Sequence, residues 1–408
     1  MLTPKFNERN STVMPVNSLT QSLLLPELKF IKLTYSHRAS SNYHVEKVSE
    51  AEVCPKCATL SKSVYDRRLV KVKDSPVRDK MIFLEILKRR FWCEVCERPF
   101  TEPVPGITKG HRTTQRLKRA ILWACENFVD LERVQRTYRV SAGYVFKTLY
   151  DQLEIELKRK INYPWPSTIG IDEHSFRRNK KFGFTEYASV IVDYKNKRPF
   201  ELVEGKTGAD LESSLAHIEG RENVSNVILD MCDAFKGFAK EFFPNAKVIA
   251  DKFHVLRLLT PAINRRRKEL AGDRRKNPIG RLLLKNGYKL EYFKQKTIWF
   301  WLEDHPELKE IYSWKERMHL FYRIKGFERA AKALTAMTDE MANSEIKEIK
   351  TLRKTLMKWR NEILAYFETG LTNARTEGFN NLAKLVQRRA FGYRSFRNYR
   401  LRFLNACA

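Results

Sequence analysis

"NVSNVILDMCDAFKGFAKEFFPNAKVIAD", residues 223–251, changes period twice. NVSNVILD is a short apolar run of the kind that forms a buried strand, AFKGFAKEFF repeats its apolar residues at helical spacing, and AKVIAD is a second short buried strand. Strand, helix and strand in so short a space predict a layered α/β domain. Upstream, STIGID (167–172), YASVIVDY (187–194) and RPFELVEG (198–205) are further β-rich runs, followed by the helical DLESSLAHI (210–218). Asp172 ends the first run and Asp230 the fourth. Strand ends are where an α/β sheet exposes functional groups, and two such strands side by side would bring both carboxylates within a few ångströms. Neighbouring carboxylates repel unless a cation lies between them, and a hard divalent ion, Mg2+ or Mn2+, is the natural occupant.

A third carboxylate comes from the other end of the chain. In NARTEGFNNLAKLVQRR, residues 373–389, helical spacing puts Glu377 on one face with Asn380, Asn381, Lys384 and Arg388, while Phe379, Leu382, Leu385 and Val386 point the other way. The pattern predicts an amphipathic helix whose cationic stripe is headed by one acid. Packed beside the sheet, Glu377 would complete a trio able to hold two ions ~3.5–4 Å apart for phosphodiester chemistry. Glu173 and Asp233 lie close to the same positions, and Asp193 and Asp251 also end strand-like runs, so spacing alone does not choose among the acids.

The composition points to a polyanion. Of 408 residues, 77 are Lys or Arg and 48 Asp or Glu, a net charge of +29. Nucleic acid is the matching partner. An anionic membrane is the rival, but no apolar run approaches the ~20 residues of a spanning helix, and SLLLPELKFIKL is a poor signal peptide. A cytoplasmic protein is expected. Two CxxC pairs, Cys54/Cys57 and Cys93/Cys96, leave Cys125, Cys232 and Cys407 single. In a reducing compartment paired knuckles predict a structural zinc ion with four thiolate ligands, here in a ribbon with an inserted hairpin. Next come three helical runs, TQRLKRAILWACENF, DLERVQRTYRV and SAGYVFKTLYDQLEIELKRK. The last two meet at a tight turn, with Ser141 as N-cap, and predict a helix-turn-helix whose second helix presents Tyr144 and Lys147 to DNA. NYPWPST (162–168) reads as a linker, and residues 254–370 read as almost wholly helical and basic, with NRRRKEL and GDRRKNP. In the tail, Arg388, Arg389, Arg394, Arg397, Arg400 and Arg402 interleave with aromatic residues, a pattern suited to phosphate contacts and base stacking; helical spacing alternatively makes Phe396, Tyr399 and Phe403 core.

The ordered set GIDEHSF, VILDMCDAFKGFAKEFFPNAKVIADKFHVLRLL and NARTEGFNNLAKLVQRRAFGYRSFRNYRLRFL, behind a CxxC–CxxC ribbon and a helix-turn-helix, resembles the ISL3 family of bacterial insertion-sequence transposases. The resemblance runs from about residue 46 to the C-terminus. It implies an RNase H-like catalytic domain interrupted by an all-helical insertion, metal-dependent DNA cleavage and strand transfer without a covalent protein–DNA intermediate, and Asp172, Asp230 and Glu377 as both catalytic acids and ligands of Mg2+ or Mn2+. Asp251 and His254, in ADKFHV, match a D-x-x-H signature of related superfamilies, with capping of a helix as the alternative role. Cys232 departs from the family pattern, which often has a serine there.

The expected organisation is therefore multidomain α/β. It comprises an N-terminal segment (1–45), a zinc ribbon (46–106), a helix-turn-helix domain (107–162), the first part of an RNase H-like domain (163–260), a helical insertion (261–370) and the C-terminal part with the Glu helix (371–408). Double-stranded DNA is the expected partner, both the element's terminal inverted repeats and the target, with Lys384 and the tail arginines near the site. A homodimer or larger synaptic assembly in the bacterial cytoplasm, associated with the nucleoid, is expected. A non-catalytic zinc-ribbon/helix-turn-helix regulator would explain the charge but has no need of three acids, and a tyrosine recombinase would cleave without metal through a phosphotyrosine.

Overall fold

The computed structural model describes residues 25–127, 130–160, 164–178, 183–271 and 278–406. The first part of the expected N-terminal segment, most of the GDRRKNP run, the first two residues of the expected linker and Cys407 lie outside the described residues. The chain divides into two compact units, Met1–Gln152 and Leu153–Ala408.

In the first unit a five-stranded sheet runs β1 (Leu28–Ser36), β2 (Ser40–Lys47), β6 (Lys80–Cys93), β5 (Val64–Val77), with β7 (Arg98–Thr101) also on β6. A small pair, β3 (Glu52–Val53) and β4 (Leu60–Ser61), frames the first cysteine knuckle. The β5–β6 hairpin is the insertion expected between the knuckles. Its two-residue turn, Arg78 and Asp79, has φ of 49° and 63°, the left-handed pair that matches the twist of the flanking strands. Leu28, Val45, Val72, Leu84 and Ile86 form the core beneath it. Residues 28–45 of the expected N-terminal segment thus belong to two strands of this sheet; β1 is exposed at every position after Leu28, so it carries little periodic signal. Three helices follow: α1 (Gln115–Asn127), α2 (Leu131–Tyr138) and α3 (Ala142–Lys160). Asp130 caps α2 by accepting the Arg133 N–H, Arg139 ends it in the left-handed conformation, and Ser141 Oγ accepts the Tyr144 N–H at the start of α3.

The second unit holds a five-stranded sheet in the order β10 (Arg198–Glu204), β9 (Thr185–Asp193), β8 (Thr168–Arg178), β11 (Asn226–Leu229), β12 (Lys247–Ala250). The β8–β9 and β9–β10 pairs are antiparallel, and β8, β11 and β12 are mutually parallel. Around the sheet lie α4 (Gly208–Leu215), α5 (Asp233–Phe242), α6 (Lys252–Arg257), α7 (Thr260–Ala271), α8 (Pro278–Leu283), α9 (Tyr292–Glu303), α10 (Pro306–Phe321), α11 (Phe327–Met341), α12 (Lys347–Lys358), α13 (Arg360–Thr369), α14 (Ala374–Arg389) and α15 (Phe396–Ala406). One hydrophobic core runs from Ile169, Val227 and Phe235 through Ile263, Ile311 and Leu334 to Leu364, so the helices of residues 261–370 and the sheet bury their apolar faces together. Trp165, within the expected linker, is buried against Phe200 and Phe243, each 4.8 Å away between ring centres. Among the described residues, no helix is long and apolar enough to cross a membrane.

Candidate active site and zinc centre

Register builds the site. Ile171 pairs with Leu229, and Leu229 with Ala250, across the three parallel strands. The residues that follow, Asp172, Asp230 and Asp251, therefore leave three adjacent strands at one level. The sequence reading ended the first strand at Asp172; β8 instead continues to Arg178 along β9, and only its parallel neighbour stops at this point. Asp172 lies within hydrogen-bonding reach of Asp230, and burial, followed by the Asp230 charge, pushes its carboxyl up to about 8. Burial and Asp230 also raise Glu173. With no cation present, such an acidic cluster retains a proton.

His254 supplies the compensating charge. Its Nε2 is 2.9 Å from Asp230 Oδ2 and its Nδ1 3.0 Å from Asp251 Oδ2, and these two carboxylates, against the effect of burial, raise the imidazole to about 10. Asp251 also caps α6 by accepting the His254 N–H. The ligating atoms of Asp230, Asp251 and His254 lie within 4.8 Å of one another. Asp193 and Asp233 are elsewhere engaged: Asp193 accepts the Lys195 and Asn196 N–H groups in the β9–β10 turn, and Asp233 pairs with Lys358.

The N-terminus of α14 docks onto these aspartates through amides. The Asn373 N–H donates to Asp251 Oδ1 at 2.8 Å, and its Nδ2 donates to Asp230 Oδ1 at 3.1 Å. Asn380 Nδ2 donates to Asp172 Oδ2 at 2.5 Å, while its Oδ1 accepts from His174 Nδ1 at 3.0 Å. The Tyr399 hydroxyl donates to His174 Nε2 at 2.7 Å, completing a buried chain of donors that ends on Asp172. Asn373, Glu377 and Asn380 are spaced i, i+4, i+7 and share one stripe, so Glu377 occupies the turn between the residues that grip Asp230 and Asp172. Its own side chain is exposed.

The expected amphipathicity of α14 holds in part: Glu377, Asn381, Lys384 and Arg388 are exposed and Phe379, Leu382 and Val386 half-buried, but the buried centre lies elsewhere. Thr376, Asn380 and Ala383 are buried, and Leu385 is exposed. The helix turns polar residues inward because buried carboxylates, not an apolar surface, face it. Gly170 permits the approach: a Cβ there would stand 2.2 Å from Thr376 Oγ1 and 2.6 Å from Tyr194 Cε2. Sequence reasoning missed Asn373, His174 and Tyr399 as parts of the site, and placed Asn380 on the right stripe without a role.

In the first unit Cys54, Cys57, Cys93 and Cys96 cluster within 4.8 Å. Cys54 and Cys96 sulfurs are 4.0 Å apart and those of Cys57 and Cys93 3.4 Å, bracketing the edge of about 3.8 Å that a tetrahedron with Zn–S bonds of ~2.3 Å requires. The Thr59 hydroxyl and N–H lower the Cys57 thiol to about 6, whereas the Cys57 thiol beside it and burial push Cys96 up to about 12. Four thiolates at this spacing call for a dication, and the cluster fits structural zinc. Ala58 and Glu97, each directly after the second cysteine of a knuckle, have φ of 59° and 50°, so both knuckles close with the same left-handed residue.

The residues expected on DNA divide. Lys147, Lys384, Arg388, Arg389 and Arg394 are exposed. Tyr144 is half-buried, its hydroxyl 2.9 Å from Thr113 Oγ1, and Arg397 pairs with Glu154. Arg400 departs from the expectation of a free phosphate contact: part-exposed, its guanidinium grips the buried Glu201 with two hydrogen bonds and ties α15 to β10. Tyr399 and Phe403 are fully buried, as helical spacing allowed, while Phe391 is exposed.

Residues 169–403 match the ISL3 transposase family, and residues 50–96 match the zinc finger of the transposases of IS204, IS1001, IS1096 and IS1165. The transposase for insertion sequence element IS1001 of Bordetella parapertussis is 23% identical over 367 residues, covering 86% of this chain and 87% of its own length. The transposase for IS1557 of Mycobacterium tuberculosis is 25% identical over 349 residues, covering 77% of this chain and 76% of its own. The chain belongs to the ISL3 family of insertion-sequence transposases and is a DNA transposase with an N-terminal zinc ribbon.

Proposed function

We propose that this transposase cleaves and joins DNA by a DDE mechanism in which Asp172, Asp230 and Glu377 hold the catalytic metal. The observation that carries the assignment is the stripe of α14: Asn373 grips Asp230, Asn380 grips Asp172, and Glu377 sits between them. The sheet order, with the second strand antiparallel to the first and the fourth and fifth parallel to it, supports an RNase H-like reading. The oxygen-rich donor set fits Mg2+ or Mn2+. Bound there, the ion would polarise the scissile phosphate and lower the pKa of an attacking water. The protein's part is positioning and electrostatics. Asn380 and Asn373 fix the carboxylate oxygens, His254 braces Asp230 against Asp251, and Lys384, Arg388 and Arg389 continue the Glu377 helix as phosphate contacts.

The ribbon and the α2–α3 pair, presenting Lys147, recognise the terminal inverted repeats in this reading, and target DNA enters at the acidic site. The protein acts as a homodimer or larger assembly, because two ends must be joined, and works at the nucleoid in the cytoplasm. The test uses zinc-loaded protein and a labelled duplex carrying its own element end, with and without Mg2+. End cleavage is expected to need Mg2+ and each of the three acids, while Asp172→Ala, Asp230→Ala and Glu377→Ala still bind the end. Retained cleavage by Glu377→Ala removes the central assignment.

A further inference from the structure

Helix α9 (Tyr292–Glu303) is amphipathic in an unusual sense. Its inner face buries Ile298 and Leu302, and Gln295 Nε2 ties it down by donating to the Gly287 and Leu290 carbonyls at 2.9 and 2.7 Å. Its outer face carries Tyr292, Phe293, Trp299 and Phe300, which are 70%, 79%, 72% and 59% exposed. At 100° per residue these four and Lys296 fall within an arc of roughly 120°. Single exposed apolar residues need no explanation, but four large aromatic rings on one stripe mark an interaction surface.

The charges on and around the stripe identify the occupant. Lys296 lies over the Phe300 ring at 5.4 Å within the stripe, and Lys289 and Arg323 lie over Tyr288, just before the helix, at 5.8 and 5.0 Å; Lys294 is paired with Glu291 at 2.8 Å, and the acids Glu303 and Asp304 stand at the far end. A second copy seated face to face would set these lysines against their own counterparts, since a two-fold contact opposes the same patch to itself. A polyanion would not. Duplex DNA keeps its bases stacked inside and gives aromatic faces nothing to stack on, whereas a single strand offers phosphates to lysine and base faces to the rings. We infer that the outer face of α9 is a platform for single-stranded DNA, with Trp299 and Phe293 as its stacking residues. The inference rests on the transposase reading only in naming where unpaired strands arise, at cleaved ends.

The test is binding of a labelled oligothymidylate to the full-length, zinc-loaded protein by fluorescence anisotropy, which needs no cleavage. Stacking worth ~1–3 kcal/mol per base corresponds to a loss of about 5- to 150-fold on removing one ring. Trp299→Ala and Phe293→Ala are each expected to weaken oligothymidylate binding within that range, Trp299→Phe to keep most of it, and all three to bind the duplex end and melt as the parent does. Parental oligothymidylate affinity in the Trp299→Ala/Phe293→Ala double variant overturns the inference. So does a double variant that loses only self-association in sedimentation, which would make the face a contact between copies. Failure of end cleavage in the parent would sink the catalytic reading and leave this binding result interpretable.

Discussion

Replacing Gly170 by alanine tests whether the docking of α14 on β8 sets the geometry of the acids. The added Cβ would meet Thr376 Oγ1 at 2.2 Å, Tyr194 Cε2 at 2.6 Å and Asn373 Oδ1 at 3.0 Å, against ordinary contacts of 3.4–4 Å. None of the three can step aside freely. Asn373 at the N-cap and Thr376 in the first turn of α14 are both buried, and the Tyr194 hydroxyl donates to the Thr372 carbonyl at 2.7 Å. The clash is relieved by moving the start of the helix outward by about an ångström, an overpacking that costs ~1–3 kcal/mol. In a unit of this size each kcal/mol lowers Tm by about 2–4 °C. The same displacement draws Asn373 from Asp230 and carries Glu377 with it, and a misplacement of ~1 Å costs about 100-fold in rate. End cleavage should therefore fall about 100-fold in Gly170→Ala, with Tm several degrees lower and duplex-end binding by anisotropy unchanged. Adding Thr376→Ala, which deletes the nearest clash, should restore part of the rate, whereas Thr376→Ser should not. A Gly170→Ala enzyme with parental rate and Tm would show that this contact does not position the acids.

Three further outcomes follow from other contacts. Asn380→Leu keeps the volume but strands the Asp172 and His174 groups it bridges, so cleavage should drop about 10- to 100-fold and the Mn2+ concentration for half-maximal rate should rise, with end binding intact. Cys232 occupies the N-cap of α5 without a side-chain cap bond; Cys232→Ser supplies one and should raise stability by ~1 kcal/mol in thermal melts, whereas a lower Tm would count against the cap assignment. Burial pushes the Glu362 carboxyl up, but its bonds to Lys236 and Lys240, at 2.9 and 3.0 Å, outweigh that and hold it below its usual 4.5. A depressed carboxyl adds stability that is present above the unfolded value and lost as pH falls through the folded one. The Tm advantage of the parent over Glu362→Gln should thus be full at neutral pH and shrink below about pH 4.5; an advantage independent of pH would refute the ion-pair account.

Much of this molecule was legible because local chemistry specified it. Both CxxC knuckles, the short strand that leads into Asp230 and the Ser141 cap each carry their signal within a few residues. What sequence concealed depends on partners far along the chain. The inward turn of Asn380 on α14 was not legible because a hydrophobic period assumes that helices bury apolar side chains, and the groups facing Asn373 and Asn380 are the carboxylates of Asp230, just after β11, and Asp172 of β8. Arg400 looked like a phosphate contact because nothing near it announces Glu201, its buried partner on β10. Register was equally hidden: that Asp251 joins Asp172 and Asp230 in one row follows from strand pairing, not from any spacing between them.

In the proposed assignment the helices between β12 and α14 are therefore part of how the acids assemble. Asp172 and Asp230 come from strands joined early in the sheet, but Glu377 arrives only after the chain has run through α6 to α13. Its launching point is fixed by α13, where Glu362 clamps Lys236 and Lys240 of α5, the helix that begins three residues after Asp230. α13 then ends at Gly370, whose φ of 68° gives the left-handed exit that glycine adopts without strain. Leu371 and Thr372 lead to Asn373, and Thr372 is held by the Tyr194 hydroxyl. A fault in the helical core would thus reach the site through α13 and this short connection, moving Glu377 relative to two aspartates that stay fixed in the sheet. In the proposed reading such a fault should reduce cleavage before it affects end recognition, since the ribbon, α1, α2 and the start of α3 belong to the other unit.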